Sequence, residues 1–186
     1  NVSLIDDWVG KIVTAFEEKG ELDNTVFVFT SDHGDCLGDH GLVYKFSSHY
    51  DPVARVPLVF AGPGIAASGA HDSMVELIDL GPTLLDLSGL GEIEGASGIS
   101  LCPQLNGADE EIHKTVFSEH GPRIMARTRD CKLVFYPGEE YGELYDLNED
   151  PHELYNLYDK PDHSSKRQVM VERMMHWFAT TKPNLA

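Results

Sequence analysis

The chain has 186 residues, of which 41% are hydrophobic and 24% are charged, a composition typical of a folded protein of about one domain. Its 31 acidic residues outnumber its 14 basic residues, and the net charge of −17 disfavours a broad surface for nucleic acid or anionic membrane. No apolar run of about eighteen residues predicts a membrane span. No signal peptide is recognisable, and the localisation stays open.

The first half of the chain combines helix and strand patterns. In chain order, the predicted elements are a helix over Ile5–Phe16, strands over Thr25–Thr30 and Val56–Phe60, and a helix over Met74–Leu87. The run Thr25–Thr30 is β-branched and aromatic throughout, which is typical of a strand buried on both faces in a parallel sheet. Pro82 lies inside the last helix pattern, so we expect a break or kink there.

The second half, after a Gly-rich loop over 89–109, alternates short strand patterns with turns. The predicted strands cover Thr115–Ser118, Ile124–Thr128, Lys132–Tyr136 and Glu143–Leu147. This spacing is typical of an antiparallel meander, and Arg123, Arg127 and Arg129 alternate in a way that indicates outward positions on a solvated strand. A last helix is predicted from about Lys166. Its broad apolar face consists of two rows, Met170, Met174 and Trp177, and Val171, Met175 and Phe178.

The change of pattern near residue 108 predicts a boundary between residues 1–108 and residues 109–186. The predicted fold class is α/β: the end of a large mixed sheet with flanking helices, followed by a small α+β subdomain with an antiparallel sheet and a terminal helix. Two clear strands are too few for a complete sheet, which usually has about five or six. The chain is therefore expected to be a fragment of a larger protein.

The densest group of polar residues lies between Ser31 and Lys45, where the first predicted strand ends. Ligands of open α/β sheets bind at the carboxyl ends of strands, so this position favours a binding site. Asp32 and His33 offer an oxygen and a nitrogen to a divalent cation, provided that the backbone turns at Gly34. A cation needs about four to seven ligands, so others must come from elsewhere. The alternative is a solvated turn in which Asp32 caps a helix.

The order of these residues resembles the C-terminal half of a sulfatase in the alkaline phosphatase superfamily. The resemblance rests on Ser31-Asp32-His33-Gly34, Gly38-Asp39-His40-Gly41 and Lys45, and on the segments Arg55–Gly64, Asp79–Leu85 and Glu143–Leu157. Phosphatases and phosphodiesterases of the superfamily share Ser-Asp-His-Gly, but the ordered set extends over nearly the whole chain. The chain is thus identified as a member of the formylglycine-dependent sulfatase family.

The resemblance implies that a formylglycine hydrate hydrolyses a small-molecule or carbohydrate sulfate ester, with a divalent cation that polarises the sulfate. It implies metal ligation by Asp32 and His33, and contact of Lys45 with the sulfate, where a compact positive charge stabilises the transition state. His40 is either a hydrogen-bond donor behind these ligands or a packing residue of the loop. His49 is a further candidate to line the pocket.

Two features depart from the family pattern. No Cys or Ser of this sequence begins the Cys/Ser-x-Pro-x-Arg motif from which formylglycine is made. The nucleophile and two more metal carboxylates are therefore expected in a missing N-terminal part, and the chain alone is expected to be inactive. His33 stands where many calcium sulfatases have Asn, so Ca²⁺ is expected from the family and Mn²⁺ is the alternative. The rival interpretations are a phosphonate or phosphate ester hydrolase of the superfamily and a non-catalytic sulfatase-like module.

Overall fold

The structure of the protein is a computed structural model that describes residues 2–46, 48–66 and 69–181. Within these ranges the α-helices are α1 (Val2–Glu18), α2 (Asp51–Ala54), α3 (Leu80–Leu87), α4 (Cys102–Leu105) and α5 (Ser164–Thr181). The strands are β1 (Phe27–Thr30), β2 (Leu58–Ala61), β3 (Val116–His120), β4 (Arg123–Arg127), β5 (Cys131–Phe135) and β6 (Gly142–Asp146). Helices thus accompany two antiparallel sheets, which confirms the α/β class.

Helix α1 confirms the helix predicted from the apolar spacing of the first segment. Its apolar row faces outward, since Trp8 is 56% exposed and no residue within Val2–Glu18 is buried. Near the end of the helix, the ring of Phe16 contacts that of Phe27 in β1 edge to face, with ring centroids 5.4 Å apart. This contact joins α1 to the strand that precedes the polar loop.

Strands β1 and β2 pair antiparallel, with Phe27 opposite Ala61. The parallel pairing and the full burial predicted for the first strand are therefore wrong, because Phe29 of β1 and Val59 of β2 are both exposed. An apolar run shows only that a strand suits a buried position, and it carries no information about the direction of the neighbouring strand. Within the described residues, no third strand pairs with β1 or β2.

The helix predicted over Met74–Leu87 is shorter in the structure. A 3-10 turn at Leu77–Asp79 leads into α3, which begins at Leu80. Pro82 therefore lies in the first turn, where its missing N–H would have no intrahelical acceptor in any case. The predicted break at Pro82 is wrong because the helix pattern was extended too far toward the N-terminus.

The sequence analysis missed α2 and α4, which are helices of 4 residues each with a proline in the first turn. Proline at this position is preorganised for helix formation. Such short helices leave no periodic apolar pattern in the sequence. Helix α2 matters for the site because it follows directly after the polar loop.

Strands β3 to β6 form an antiparallel meander in sequence order, as predicted. One face of the meander packs on α5, and the buried core between them comprises Ala126, Cys131, Leu133 and Leu144 of the sheet and Met170 and Met174 of the helix. Because side chains alternate along a strand, Lys132 and Val134 of β5 point to the opposite face. These two residues are also buried, so both faces of β5 are covered.

Helix α5 confirms the predicted terminal helix and packs the first of its two predicted apolar rows, together with Val171 of the second, on the sheet. Met170 and Met174 are buried, and Trp177 stacks on an aromatic ring of β3. In the second row, Met175 is 67% exposed and Phe178 is exposed as well. The apolar face that contacts the sheet is therefore narrower than predicted, because a sheet covers only one side of a helix that lies on it.

The two sheets fall into the two predicted regions, with β1 and β2 in residues 1–108 and β3 to β6 in residues 109–186. The boundary itself stays a prediction. In the described ranges of the chain, no helix has both the length and the hydrophobicity that crossing a bilayer requires.

Candidate functional site

Residues 31–46, which we call the Asp32 loop, begin directly after β1. The side chain of Asp32 is 85% exposed, and its Oδ1 accepts a hydrogen bond of 3.0 Å from the backbone N–H of His33. This hydrogen bond, aided by the nearby imidazole of His33, holds the pKa of the Asp32 carboxyl below its ordinary value. The Asp32 loop therefore presents an ionised carboxylate that a cation can reach.

Asp32 and His33 converge although they are adjacent in sequence. Nε2 of His33 lies 3.5 Å from Oδ2 of Asp32. The chain turns at Gly34, whose N–H donates to the carbonyl oxygen of Val53 at 2.9 Å. A Cβ at position 34 would overlap the carbonyl oxygen of Pro52, so the two backbones approach this closely only because residue 34 is glycine.

Hydrogen bonds define the role of each ring nitrogen of His33. Nδ1 lies 2.9 Å from the carbonyl oxygen of Gly34, which can only accept, so Nδ1 carries the proton of the neutral ring. Nε2 then has a free lone pair, which accepts a hydrogen bond from Nζ of Lys45 at 2.6 Å. A histidine whose Nδ1–H is bound to a carbonyl is oriented to ligate a metal through Nε2.

Lys45 reaches His33 because the Asp32 loop folds back on itself. The backbone N–H of Lys45 donates to Oδ1 of Asp35 at 2.7 Å, and its carbonyl oxygen accepts a hydrogen bond of 2.7 Å from Ser48 Oγ. The structure thus brings the three predicted residues Asp32, His33 and Lys45 together. The carboxylate of Asp35 closes the loop through this hydrogen bond, a role that the sequence analysis did not assign to Asp35.

A cleft of about 1020 Å³ opens beside these three side chains. Asp32, His33 and Lys45 line it together with His49, and residues of β2, β3, β4 and β5 form the other walls. A volume of this size is typical of a site for a small molecule. The cleft is therefore bounded by both sheets of the chain.

The two further candidate histidines occupy different positions. His49 lines the cleft, but it is only 3% exposed, and neither ring nitrogen has a hydrogen-bond partner among the described residues. Burial, together with the cationic side chains around it, lowers the pKa of His49 to about 4, so the ring is neutral at pH 7. His40 stacks on Tyr50, with ring centroids 3.6 Å apart, and packs the loop.

The sequence analysis missed the contacts between β4, β5 and the segment after the Asp32 loop. Nη1 of Arg127 lies 2.6 Å from Oδ1 of Asp51, so the outward position predicted for Arg127 is wrong. Nζ of Lys132 also lies 2.6 Å from Oδ1 of Asp51. A signal for Lys132 was present, since a lone charge in the apolar run Cys131–Phe135 must find a partner when the strand is buried.

Glu76, Asp79 and His113 form a second group of metal-type ligands, with one ligand atom from each within 4.8 Å of the others. Asp79 is fully buried, and its carboxylate accepts hydrogen bonds from the backbone N–H groups of Ile99 and Glu76, at 2.8 Å each, and from Nε2 of His113 at 2.9 Å. Its oxygens are thus engaged by the protein itself. We assign this group a structural role, because it joins the start of α3 to the segments that contain Ile99 and His113.

Comparison with known proteins identifies the family of the chain. Residues 38–179 match the family described as N-sulphoglucosamine sulphohydrolase, C-terminal. Choline-sulfatase of Rhizobium meliloti (strain 1021) is 35% identical over 188 residues, an alignment that covers 95% of this chain and 36% of the relative.

Solved structures show the same relationship. One is the structure of a protein in complex with its substrate D-glucosamine-2-N,6-O-disulfate. It is 28% identical to this chain, with a TM-score of 0.87, and the match covers 99% of this chain and 40% of that chain. The phosphonate monoester hydrolase from Silicibacter pomeroyi is 25% identical with a TM-score of 0.87, over 97% of this chain and 40% of that chain.

The chain thus spans between 36% and 40% of the length of these proteins. The family match covers most of the residues of this chain. This chain belongs to the sulfatase family of the alkaline phosphatase superfamily, of which it matches the C-terminal region.

Proposed function

We propose that the chain forms the C-terminal part of a hydrolase of sulfate esters and supplies half of its active site. In this proposal Asp32 and His33 bind a divalent cation, and Lys45 contacts the sulfate. The observation that carries the proposal is the convergence of these three side chains at one cleft, in a chain of the sulfatase family.

The donor set fits a divalent cation. Asp32 offers an ionised and accessible carboxylate, and the Nδ1–H of His33 is held by the carbonyl of Gly34, so that Nε2 is available as a ligand. When bound, the cation would polarise the sulfate and stabilise negative charge. Ca²⁺ is the family expectation, whereas the imidazole nitrogen suits Mn²⁺ better. The remaining ligands come from other parts of the proposed protein.

The ammonium group of Lys45 donates a hydrogen bond to Nε2 of His33. One lone pair cannot serve a cation and an ammonium group together, so ligation through Nε2 releases Lys45 for another acceptor. The sulfate is that acceptor in our proposal. Its negative charge makes a compact ammonium group a suitable partner, and the charge that develops in the transition state strengthens the contact.

The nucleophile lies outside this chain in our proposal. The 186 residues contain no Cys/Ser-x-Pro-x-Arg motif, so a formylglycine is expected in a preceding part of the polypeptide. The substrate is a small-molecule or carbohydrate sulfate ester. Support for this class comes from the choline-sulfatase relative and from the structural neighbour whose substrate is a disulfated glucosamine.

Turnover of an aryl sulfate by the full-length protein tests the proposal. We expect activity that chelation abolishes and Ca²⁺ or Mn²⁺ restores. The Lys45→Met variant should lose about 10²- to 10³-fold in kcat, as enzymes do when one donor to a developing anion is removed. Lys19→Met, which changes an exposed lysine beyond α1, is the matched control and should keep full activity. Full activity of Lys45→Met would contradict the role given to Lys45.

Hydrolysis of phosphonate monoesters is the second candidate function. A phosphonate monoester hydrolase shares the fold with a TM-score of 0.87, and an Asp-His pair such as Asp32-His33 is compatible with either acid. The ratio of kcat/KM for an aryl sulfate to that for the matching aryl phosphonate monoester, measured on one preparation, decides between the two functions. A ratio below one favours the phosphonate.

A further inference from the structure

Residues 48–54, which we call the bridging segment, lie between the Asp32 loop and the four-stranded sheet. On the loop side, the carbonyl of Val53 accepts the Gly34 N–H at 2.9 Å, the Ser48 hydroxyl donates to Lys45, and Tyr50 stacks on His40. The bridging segment therefore contacts the beginning, the middle and the end of the Asp32 loop, at Gly34, His40 and Lys45. Any shift of the segment shifts the residues that carry the proposed chemistry.

On the sheet side, a buried ammonium group holds the bridging segment, beside the Arg127 guanidinium, which also pairs with Asp51. Nζ of Lys132 donates to the carbonyl oxygen of His49 at 3.0 Å and to Oδ1 of Asp51 at 2.6 Å, and it pairs with Oε1 of Glu153. Two of these contacts are hydrogen bonds, and the third is an ion pair between buried groups. The Lys132 side chain has no exposed surface, so the charge is balanced entirely by its protein partners.

Glu153 completes the arrangement from a third part of the chain. Its Oε2 accepts the backbone N–H of Asp51 at 2.8 Å while its Oε1 faces Lys132. Glu153 has a φ of 57°, a left-handed conformation that few non-glycine residues adopt. A residue persists in such a conformation when its surroundings fix it, and here both carboxylate oxygens are engaged.

We propose that Lys132 is a positioning residue: from β5 it fixes the bridging segment, and through this segment it sets the geometry of the Asp32 loop. The chemical roles of the positioned groups, as metal ligands and a sulfate contact, rest on the proposed function. The positioning of the loop by Lys132 does not. Lys132 touches none of the reacting groups in this account. Through Lys132, the four-stranded sheet supports the geometry of the Asp32 loop.

Hydrogen exchange tests the mechanical part of the proposal without any assay of activity. The variant Lys132→Met with Glu153→Gln removes both buried charges, and glutamine keeps an oxygen for the N–H of Asp51. We expect the amides of Gly34, Asp51 and Val53 to exchange about tenfold faster or more, while the amides of Ala126 and Leu144 keep their protection.

A matched control is available in the same sheet. Lys166 of α5 pairs with Asp146 of β6, which makes no contact with the bridging segment in any of the hydrogen bonds or ion pairs described for it. The variant Lys166→Met with Asp146→Asn should leave the exchange of Gly34 and Val53 unchanged. A uniform acceleration of all amides in the Lys132 variant, its failure to fold, or unchanged exchange at Gly34 overturns the proposal, because Lys132 then only stabilises the sheet or does nothing.

Binding of Mn²⁺ alone, followed by calorimetry on the purified full-length protein, separates this proposal from the proposed function. We expect the Lys132 variant to bind Mn²⁺ about tenfold more weakly than the wild type, and the Lys166 variant to bind it equally well. If the wild type does not bind Mn²⁺ or Ca²⁺, the proposed metal site is wrong, and the exchange at Gly34 still decides whether Lys132 positions the loop. Equal Mn²⁺ affinity in the Lys132 variant would contradict the positioning role.

Discussion

Gly34 lies where the Asp32 loop crosses the bridging segment, and its missing side chain makes this crossing feasible. Gly34→Ala should lower the free energy of unfolding by about 1 to 3 kcal/mol, because the new Cβ meets the Pro52 carbonyl and the loop must move away. Gly10→Ala in α1 is the control. A Cβ there meets nothing within 4 Å, so helix propensity should raise the stability by about 0.5 to 1 kcal/mol. Denaturant unfolding measures both, and equal effects would refute the close approach at Gly34.

His49 gives the stability a definite dependence on pH. Because burial lowers its pKa from 6.5 to about 4, the unfolded chain binds a proton here that the folded chain does not bind between these values. The free energy of unfolding should therefore fall as the pH falls from 6.5 to 4, by on the order of 2 to 3 kcal/mol from this residue. Burial is the largest cause of this lowered pKa, and the positive charges of His120, Lys132 and Arg123 contribute to it.

The His49→Phe variant tests this dependence by urea unfolding at several pH values. Its free energy of unfolding should fall less than that of the wild type between pH 6.5 and 4. At pH 7 the variant should be at least as stable as the wild type, since phenylalanine leaves no buried nitrogen without a partner. His152→Gln, at an exposed position, should keep the wild-type profile. An unchanged profile in His49→Phe would show that the ring is accessible to protons when folded.

At the scale of single residues, sequence reasoning selected the exposed part of the site and missed its buried support. Asp32, His33 and Lys45 lie within one short loop, so their order in the sequence was enough to group them. Lys132 and Glu153 join Asp51 from distant parts of the chain. No local pattern encodes such a meeting, because it depends on how the two sheets are placed around the bridging segment.

At the scale of elements, the buried carboxylate of Asp79 joins α3 to its surroundings. Asp79→Ala should lower the free energy of unfolding by about 3 kcal/mol or more, because Ile99 N–H, Glu76 N–H and the His113 ring lose one common acceptor. Asp86→Ala, in α3, removes an exposed carboxylate that accepts a hydrogen bond from Ser100 and should cost less than about 1 kcal/mol. Thermal or denaturant unfolding distinguishes the two, and similar losses would contradict the assigned role of Asp79.

The strands were predicted more accurately than the helices. Each strand of the meander lies within one or two residues of its predicted position, because turn residues interrupt the apolar runs sharply. The boundary of α3 was wrong by several residues, since the apolar residues before Leu80 continue the helical spacing without forming the helix. The 3-10 turn that replaces the predicted α-helix there is accompanied by the contacts of Asp79 with Ile99 and His113, which no local pattern of the sequence displays.

At the scale of the whole molecule, the 186 residues hold only part of the catalytic equipment proposed for the protein. The isolated chain should show no turnover of an aryl sulfate with either Ca²⁺ or Mn²⁺. Two candidate ligands do not complete a cation site, and the sequence contains no precursor of a formylglycine. The assay needs the full-length protein as a positive control. Metal-dependent turnover by the isolated chain would refute this division of the active site.

The fold class followed from the sequence, but the environment of the first sheet did not. An apolar strand such as β1 is suited to burial, yet Phe29 and Val59 are exposed in the described chain. Burial is a property of neighbouring elements as much as of the strand itself. The same limit applies to α1, whose apolar row is well formed and still lies at the surface.

The enclosed charges of Lys132 and Glu153 also bear on how this region can change during evolution. Replacing Lys132 alone leaves the Glu153 carboxylate without its counter-ion in a dry environment, and replacing Glu153 alone leaves the Lys132 ammonium group with only Asp51 among its described anionic partners. Both single changes are therefore destabilising, whereas a joint exchange for neutral residues avoids either intermediate. We therefore expect the two positions to covary among homologues. A chimera that takes β5 from one homologue and the turn around Glu153 from another should fold only when both donors carry matching residues at these positions.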